Sequence, residues 1–277
     1  MLTLNLVGCG RVGKTLAHLW HAHRVLQIQD VLTTSASSAA QAVAFIGAGH
    51  AVQTLAQMRP ADFWLIAVPD RQIAASANAM AQALAQHAPA TAFHCSGALS
   101  ASELGALRAL GWQVASAHCI LSFASPASAV QQFAGTACAV EGEAPGISRL
   151  QPIYTAIGAN CFALAAGNKL LYHAAAVFAT NFLPVLQATA EDLWQASGVP
   201  PQLLPQLRAS LLRNAVDNVL ALGPAGALTG PAARGDTELV LQQGQALAQR
   251  DPIIGVAYRA LSELATRLAK DGTPRQG

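Results

Sequence analysis

Lys169, His173, Val177 and Asn181 recur every four residues, which on an α-helix puts a cation, an imidazole and an amide along one face. Such a stripe can anchor a carboxylate or carbonyl and deliver a proton to it. Its flanks, Ala174, Ala175, Ala176 and Phe178, are apolar, which weakens the reading of a merely solvated face. Two shorter runs pair histidine with cysteine: His94-Cys95-Ser96-Gly97 and His118-Cys119. Both residue types ligate zinc, but no C-x-x-C or H-x-x-x-H spacing occurs, so no metal is expected. Residues 228–236 read as a loop shaped by Gly and Pro, with Asp236 placed to cap the next helix. Thr229 and Arg234 have no evident local task there. Lys169, His173 and Asn181 are thus candidate catalytic residues, and Ser96, His118, Thr229 and Arg234 candidate substrate contacts.

Gly8-Cys9-Gly10-Arg11-Val12-Gly13 fits G-x-G-x-x-G directly after an apolar run and at the opening of a helical one. In that context Gly8 permits a tight turn, Gly10 lets backbone approach a pyrophosphate, and Gly13 packs helix on strand. The free N–H groups of the helix start would face the anion. Val68, Pro69 and Asp70 follow a later strand and are expected near the ribose, with Ser96 and Gly97 bordering the nicotinamide. The tip after the second strand, residues 32–38, carries hydroxyls and no carboxylate; Asp30 falls three or four residues early. With Thr34 and Ser35 at that tip and Arg11 nearby, a 2′-phosphate is tolerated, so NADP is favoured over NAD.

These groups need a frame. Strand-like runs at residues 2–7, 25–33, 63–68, 91–94, 113–117, 136–140 and 161–164 alternate with helical ones, among them 39–45, 51–57, 71–86 and 100–110. Asp70 is placed to cap the run from 71, and Ser100 with Glu103 resembles a capping box. Strands alternating with helices predict βαβ units and a mostly parallel, doubly wound sheet. From about residue 166 only helical periodicity remains (170–196, 201–222, 236–249, 252–269), broken at Gly198 to Pro201, Gly223-Pro224 and Asp251-Pro252, before a tail at 271–277 that is expected to fray. The expectation is an α/β domain over 1–165 and an all-α domain over 166–277.

Composition narrows the function classes. The 277 residues are 53% hydrophobic and only 11% charged, with a net charge of +2. A globular chain averages about 25% charged. Without a basic cluster, nucleic acid is not an expected partner. The charge-free stretches are interrupted by Gln, Ser, Asn, His and Pro, so no membrane span is expected. No basic leader precedes the glycine loop, and five scattered cysteines fit reduced thiols, so the expected location is the cytoplasm. Sparse charge also fits a large buried interface in a homodimer.

Several segments together resemble a known family: residues 7–13, 67–70, 94–97 and 118–123, LYHAAAVFATN at 171–181 and ALTGPAARGD at 227–236. The chain resembles the Rossmann-like proteins that carry a C-terminal helical domain of unknown function. These are distant relatives of pyrroline-5-carboxylate reductase, ketopantoate reductase and the 6-phosphogluconate dehydrogenase-like group. The resemblance implies an NAD(P)-binding domain, a helical domain that supports dimerisation, and a site in the cleft between them. Related 3-hydroxyacid dehydrogenases use a Lys and an Asn four residues apart; Lys169 fits the first position and His173 stands at the second. Members often read His-Pro-Leu where this chain has His118-Cys119-Ile120. The expected activity is NADP-dependent oxidation or reduction of a small polar carbonyl, hydroxy acid or imine. The competing expectation is a non-catalytic NADP sensor on the same fold.

Overall fold

The computed structural model describes residues 1–275, and contacts divide the chain into two compact units, Met1–Thr180 and Asn181–Gly277. The first holds β1 (Thr3–Val7), α1 (Arg11–Ala22), β2 (Gln27–Leu32), α2 (Ala36–Ile46), β3 (His50–Val52), β4 (Phe63–Ile66), α3 (Ile73–Ala83) and β5 (Thr91–His94). It continues through α4 (Gly105–Ala109), β6 (Gln113–Cys119), α5 (Pro126–Gln132), β7 (Ala137–Gly142), α6 (Ala144–Thr155), β8 (Asn160–Ala163) and α7 (Lys169–Ala176). The sheet order is β3-β2-β1-β4-β5-β6-β7-β8, parallel throughout except for the β6–β7 pair. This is the mostly parallel α/β frame that the sequence predicts.

Side chains alternate across the strands as the pleat requires. Leu4, Leu6, Phe63, Leu65 and Phe93 join a core with Leu16 and Trp20 of α1 and Tyr154 of α6. Trp64, Ile66 and Ala92 turn to the other face, where Ile73, Ala77 and Met80 of α3 cover them. Chain order reverses between β1 and β4, which creates the crevice where such sheets bind ligands.

Local expectations fail at several points. Residues 51–57, expected helical, instead form β3 and a 3-10 turn at Leu55–Gln57. Pairing of Asp30 with His50 extends the sheet, and Thr54 with Gln57 closes a capping box on that turn. Asp70 does not cap α3: a 3-10 turn at Asp70–Gln72 comes first, and its carboxylate accepts a hydrogen bond from Ser96. Ser100 makes no side-chain cap and pairs with the Ser102 hydroxyl.

The second unit holds α8 (Phe182–Ala196), α9 (Leu204–Ala227), α10 (Thr237–Arg250) and α11 (Pro252–Asp271). It is all-helical, as expected. α9 breaks at Gly223, whose φ of 71° leaves the helical region just before Pro224. Asp236 stands at the N-cap of α10 without a capping bond, against expectation. α11 ends on a left-handed Gly272; of the tail read at 271–277, Gln276 and Gly277 lie outside the described residues. Gly255 brings α11 onto α10, where an added Cβ would lie 2.7 Å from Ala248. Among the described residues of this unit, Leu204 is the one large apolar side chain that is fully buried.

The stretch Ala166–Ala196, in which 18 consecutive residues reach a mean hydropathy of 1.3, is long and apolar enough by composition to cross a membrane. Its acidic residues are used in ion pairs within the second unit: Glu191 with Arg208 at 2.8 Å and Asp192 with Arg250 at 3.0 Å.

Candidate functional site

The three glycines of the loop do different work. Gly8 has φ +78°, and a Cβ there would lie 2.6 Å from the Val68 side chain and 2.7 Å from the Ala67 carbonyl. Gly13 lies against Ala67, with 3.0 Å between that residue's Cβ and the one a side chain would add. Gly10 is different: its backbone is extended, with φ −75° and ψ −155°, and beyond its two chain neighbours nothing lies within 4 Å of its would-be Cβ. No protein contact requires that glycine. In dinucleotide-binding loops of this pattern a glycine at this position lets the backbone approach a pyrophosphate. Gly10, Arg11, Val12 and Gly13 line a cavity of about 350 Å³ with Val68, Pro69, Asp70, Cys95 and Ser96. Cys9, beside them in sequence, is buried and its thiol is pushed up to about 12 by that burial, so it packs and does not react.

At the tip of β2, Ser35 caps α2 by accepting from the Ser38 N–H at 3.2 Å, and Thr34 and Ser35 are exposed. Asp30 takes no part in this tip. It is buried, and its carboxylate accepts from the Arg59 N–H at 2.8 Å and its guanidinium at 2.6 Å. The tip therefore carries no free anion that would repel a 2′-phosphate.

Beyond β5 the side chains are tied together. Ser96 Oγ donates to Asp70 at 2.8 Å and accepts from the Leu99 N–H at 3.0 Å, so its hydroxyl shapes the turn. His94 donates from Nε2 to the Ser100 carbonyl and accepts the Ser96 N–H at Nδ1; burial holds it below its usual range, hence neutral. Lys169, only 1% exposed, donates from Nζ to the Ser96 carbonyl at 2.9 Å and to Ser116 Oγ at 2.8 Å. Ser116 in turn donates to Glu141 at 2.8 Å, and the Ala101 N–H donates to the same carboxylate oxygen. Burial lowers the Lys169 pKa, and the Glu141 charge opposes that shift. Glu141 and Ser116 escaped the sequence reading. The signal was there: Glu141 is a lone carboxylate in an otherwise apolar strand.

Next to this network two imidazoles bear on Gly97. A Cβ on Gly97 would lie 2.4 Å from His173 Cδ2 and 2.8 Å from His118 Nε2. The rings of His118 and His173 are 5.6 Å apart. Tyr172, also given no role by the sequence reading, packs edge-on against His118 and meets its Nδ1 at 2.9 Å. Burial, His173 and Lys169 together lower the His118 pKa to about 4.

The structure thus brings Ser96, Gly97, His118, Lys169 and His173 together within the first unit. Asn181, Thr229 and Arg234 belong to the second unit, where all three are exposed. The expected stripe also ends early. A π-helical segment at Val177–Asn181 follows α7, so the regular four-residue α-helical spacing does not continue past Ala176. No cluster of three or more metal-ligating side chains occurs among the described residues.

Residues 136–265 match the family model described as Domain of unknown function (DUF2520). None of the curated proteins compared matches the chain significantly. Among solved structures, a protein of Thermotoga maritima is 25% identical with a TM-score of 0.73, over 97% of this chain and 99% of that one. An imine reductase from Myxococcus stipitatus in complex with NADP+ is 18% identical with a TM-score of 0.64, over 98% and 96% of the two chains. Its V8 variant, solved with NAD+, is 19% identical with a TM-score of 0.60, over 99% and 96%. Pyrroline carboxylate reductase from Plasmodium falciparum, with NADP bound, is 11% identical with a TM-score of 0.57, over 96% and 98%. The Rossmann-like frame and its helical extension, expected from the resemblance, are borne out.

Proposed function

We propose that this chain, a Rossmann-like fold with a DUF2520 region, is an NADP-dependent reductase or dehydrogenase of a small polar carbonyl, hydroxy acid or imine. One observation carries the reading: Gly10 borders the cavity at the β1–β4 crevice with no protein atom near its missing Cβ. The loop fits a dinucleotide. Its pyrophosphate would lie on the N-terminus of α1, which has no acidic residue in its first turn. Thr34 and Ser35, with Arg11, favour the 2′-phosphate, because Asp30 is neutralised by Arg59. When bound, the reduced nicotinamide supplies a hydride.

His173 is the better candidate for the proton donor than Lys169. The ammonium of Lys169 is buried and donates to Ser96 and Ser116, so it holds the turn. His173 is only partly buried and lies on Gly97, one residue beyond the cavity wall. Asn181, Thr229 and Arg234 remain candidates for orienting a carboxylate. The partner we propose is a second copy of this chain, which would cover Val185, Leu220 and Leu222; the proposed location is the cytoplasm.

Fluorescence titration with NADPH and NADH tests the cofactor, and tighter NADH binding overturns that assignment. Carbonyl reduction by His173→Gln tests the acid: a loss of at least roughly 100-fold with NADPH affinity retained is expected. NADPH binding without turnover of any keto acid, ketone or cyclic imine would favour a sensor.

A further inference from the structure

Tyr172 decides which nitrogen of His118 carries the proton. The phenol oxygen receives the Ala139 N–H, and its one hydrogen has two further neighbours: the His118 carbonyl oxygen at 3.2 Å and His118 Nδ1 at 2.9 Å. A carbonyl oxygen can only accept. Both contacts are therefore hydrogen bonds in one arrangement alone, in which the phenol donates to the carbonyl and Nδ1–H donates to the phenol oxygen. That leaves Nε2 as a bare lone pair, and Nε2 is the atom turned to Gly97. The T-shaped packing of the two rings, 5.4 Å apart at 87°, keeps the imidazole from turning over. Burial and the neighbouring Lys169 and His173 keep His118 uncharged at neutral pH.

We infer that His118 is a specificity-determining acceptor: its Nε2 receives a hydrogen bond from the reacting heteroatom of the substrate, which selects a protonated imine over a ketone. The inference rests on the redox reading above and names its substrate class. An iminium already carries its proton. Hydride added to its carbon moves the C=N π pair onto nitrogen, yielding a neutral amine and oxidised cofactor, while the N–H stays bonded to Nε2. A ketone offers only lone pairs to that atom and needs a proton delivered from elsewhere as its C=O pair becomes O–H.

Two measurements test this. In the first, ¹⁵N chemical shifts of His118 in the NADP+-bound protein report the tautomer directly. Protonation at Nδ1 is expected, and protonation at Nε2 overturns the inference. In the second, NADPH-dependent reduction of 1-pyrroline is compared with that of cyclopentanone, a ketone of the same ring size. The wild type should prefer the imine by roughly 100-fold or more in kcat/KM. Tyr172→Phe, which frees the imidazole to take the other tautomer, should cut that preference by about tenfold. Equal turnover of the two compounds, or a preference unchanged in Tyr172→Phe, overturns the inference. If neither compound reacts while NADPH binds, the redox reading fails, and His118 is then judged on binding. A shift of its Nε2 resonance on adding pyrrolidinium but not cyclopentanone supports the acceptor role, and no shift overturns it.

Discussion

Residues 1–180 and 181–275 solve the problem of burial in opposite ways. In the first unit the sheet is covered on both faces, and even its polar side chains inside, Asn5, Asp30, Ser116, Glu141 and Lys169, are hydrogen-bonded. In the second, Leu204 is buried while Leu220 is 80% exposed, Ile253 79% and Leu222 62%. Helices stabilised mainly by an apolar face need something to lay that face against. The contrast teaches that the sheet is covered by its own chain, whereas the helices from α7 onward leave large apolar side chains, Leu171 and Leu220 among them, exposed. A second copy is the partner we propose.

The largest effect that could break this contrast comes from Trp20. It is fully buried, stands edge-on to Phe93 and Tyr154, and donates its indole N–H to the Ile153 carbonyl at 2.9 Å. Trp20→Ala should cost about 3–5 kcal/mol in urea unfolding, whatever the protein concentration. Leu220→Ala should cost about 0.5 kcal/mol or less in dilute protein and more only where copies associate. A concentration-independent loss at Leu220 as large as that at Trp20 would erase the distinction.

The buried polar network sharpens it next. Glu141→Ala leaves Ser116 and the Ala101 N–H without their shared acceptor and Lys169 without the nearby carboxylate charge that offsets its burial, and about 3 kcal/mol of stability should go. Glu141→Gln keeps an oxygen in place and should lose less, again by urea unfolding. His118 adds a pH signature. Its folded value of about 4 lies below the ordinary 6.5, so between these limits the unfolded chain binds the extra proton. Stability should be full above pH ~6.5 and fall by about 1–2 kcal/mol as pH drops toward ~4, after allowance for partial exposure. His118→Asn should flatten that part of the profile.

How much of this was legible depended on how far each signal reaches along the chain. β1, β4 and β5 stand out because a strand buried on both faces must be apolar at nearly every step. The glycine loop was legible for a related reason: turn, ligand approach and helix packing fall within six residues. β3 was hidden, since three residues paired at the sheet edge show no period of their own. The π-helical segment was hidden because a four-residue spacing assumes an unbroken α-helix. Glu141 stood out as a lone carboxylate in an apolar strand, but what it binds, like what Tyr172 binds, could not be read. Their partners lie 25 and 54 residues away, as Ser96 lies 73 from Lys169, and only the fold brings them together.

Gly10 should give the smallest effect on stability and, for that reason, the clearest separation of function from folding. Gly8→Ala forces a side chain into backbone at positive φ, within 2.7 Å of the Ala67 carbonyl, and should destabilise the sheet. Gly10→Ala meets no atom of the protein, so its unfolding midpoint should stay within about 0.5 kcal/mol of wild type. The added methyl would still stand where the pyrophosphate comes closest, and NADPH affinity should fall by about tenfold or more in fluorescence titration. A Gly10→Ala variant that unfolds like Gly8→Ala would show the loop to be part of the packing of the first unit. One that binds NADPH as tightly as wild type would remove the observation on which the dinucleotide reading rests.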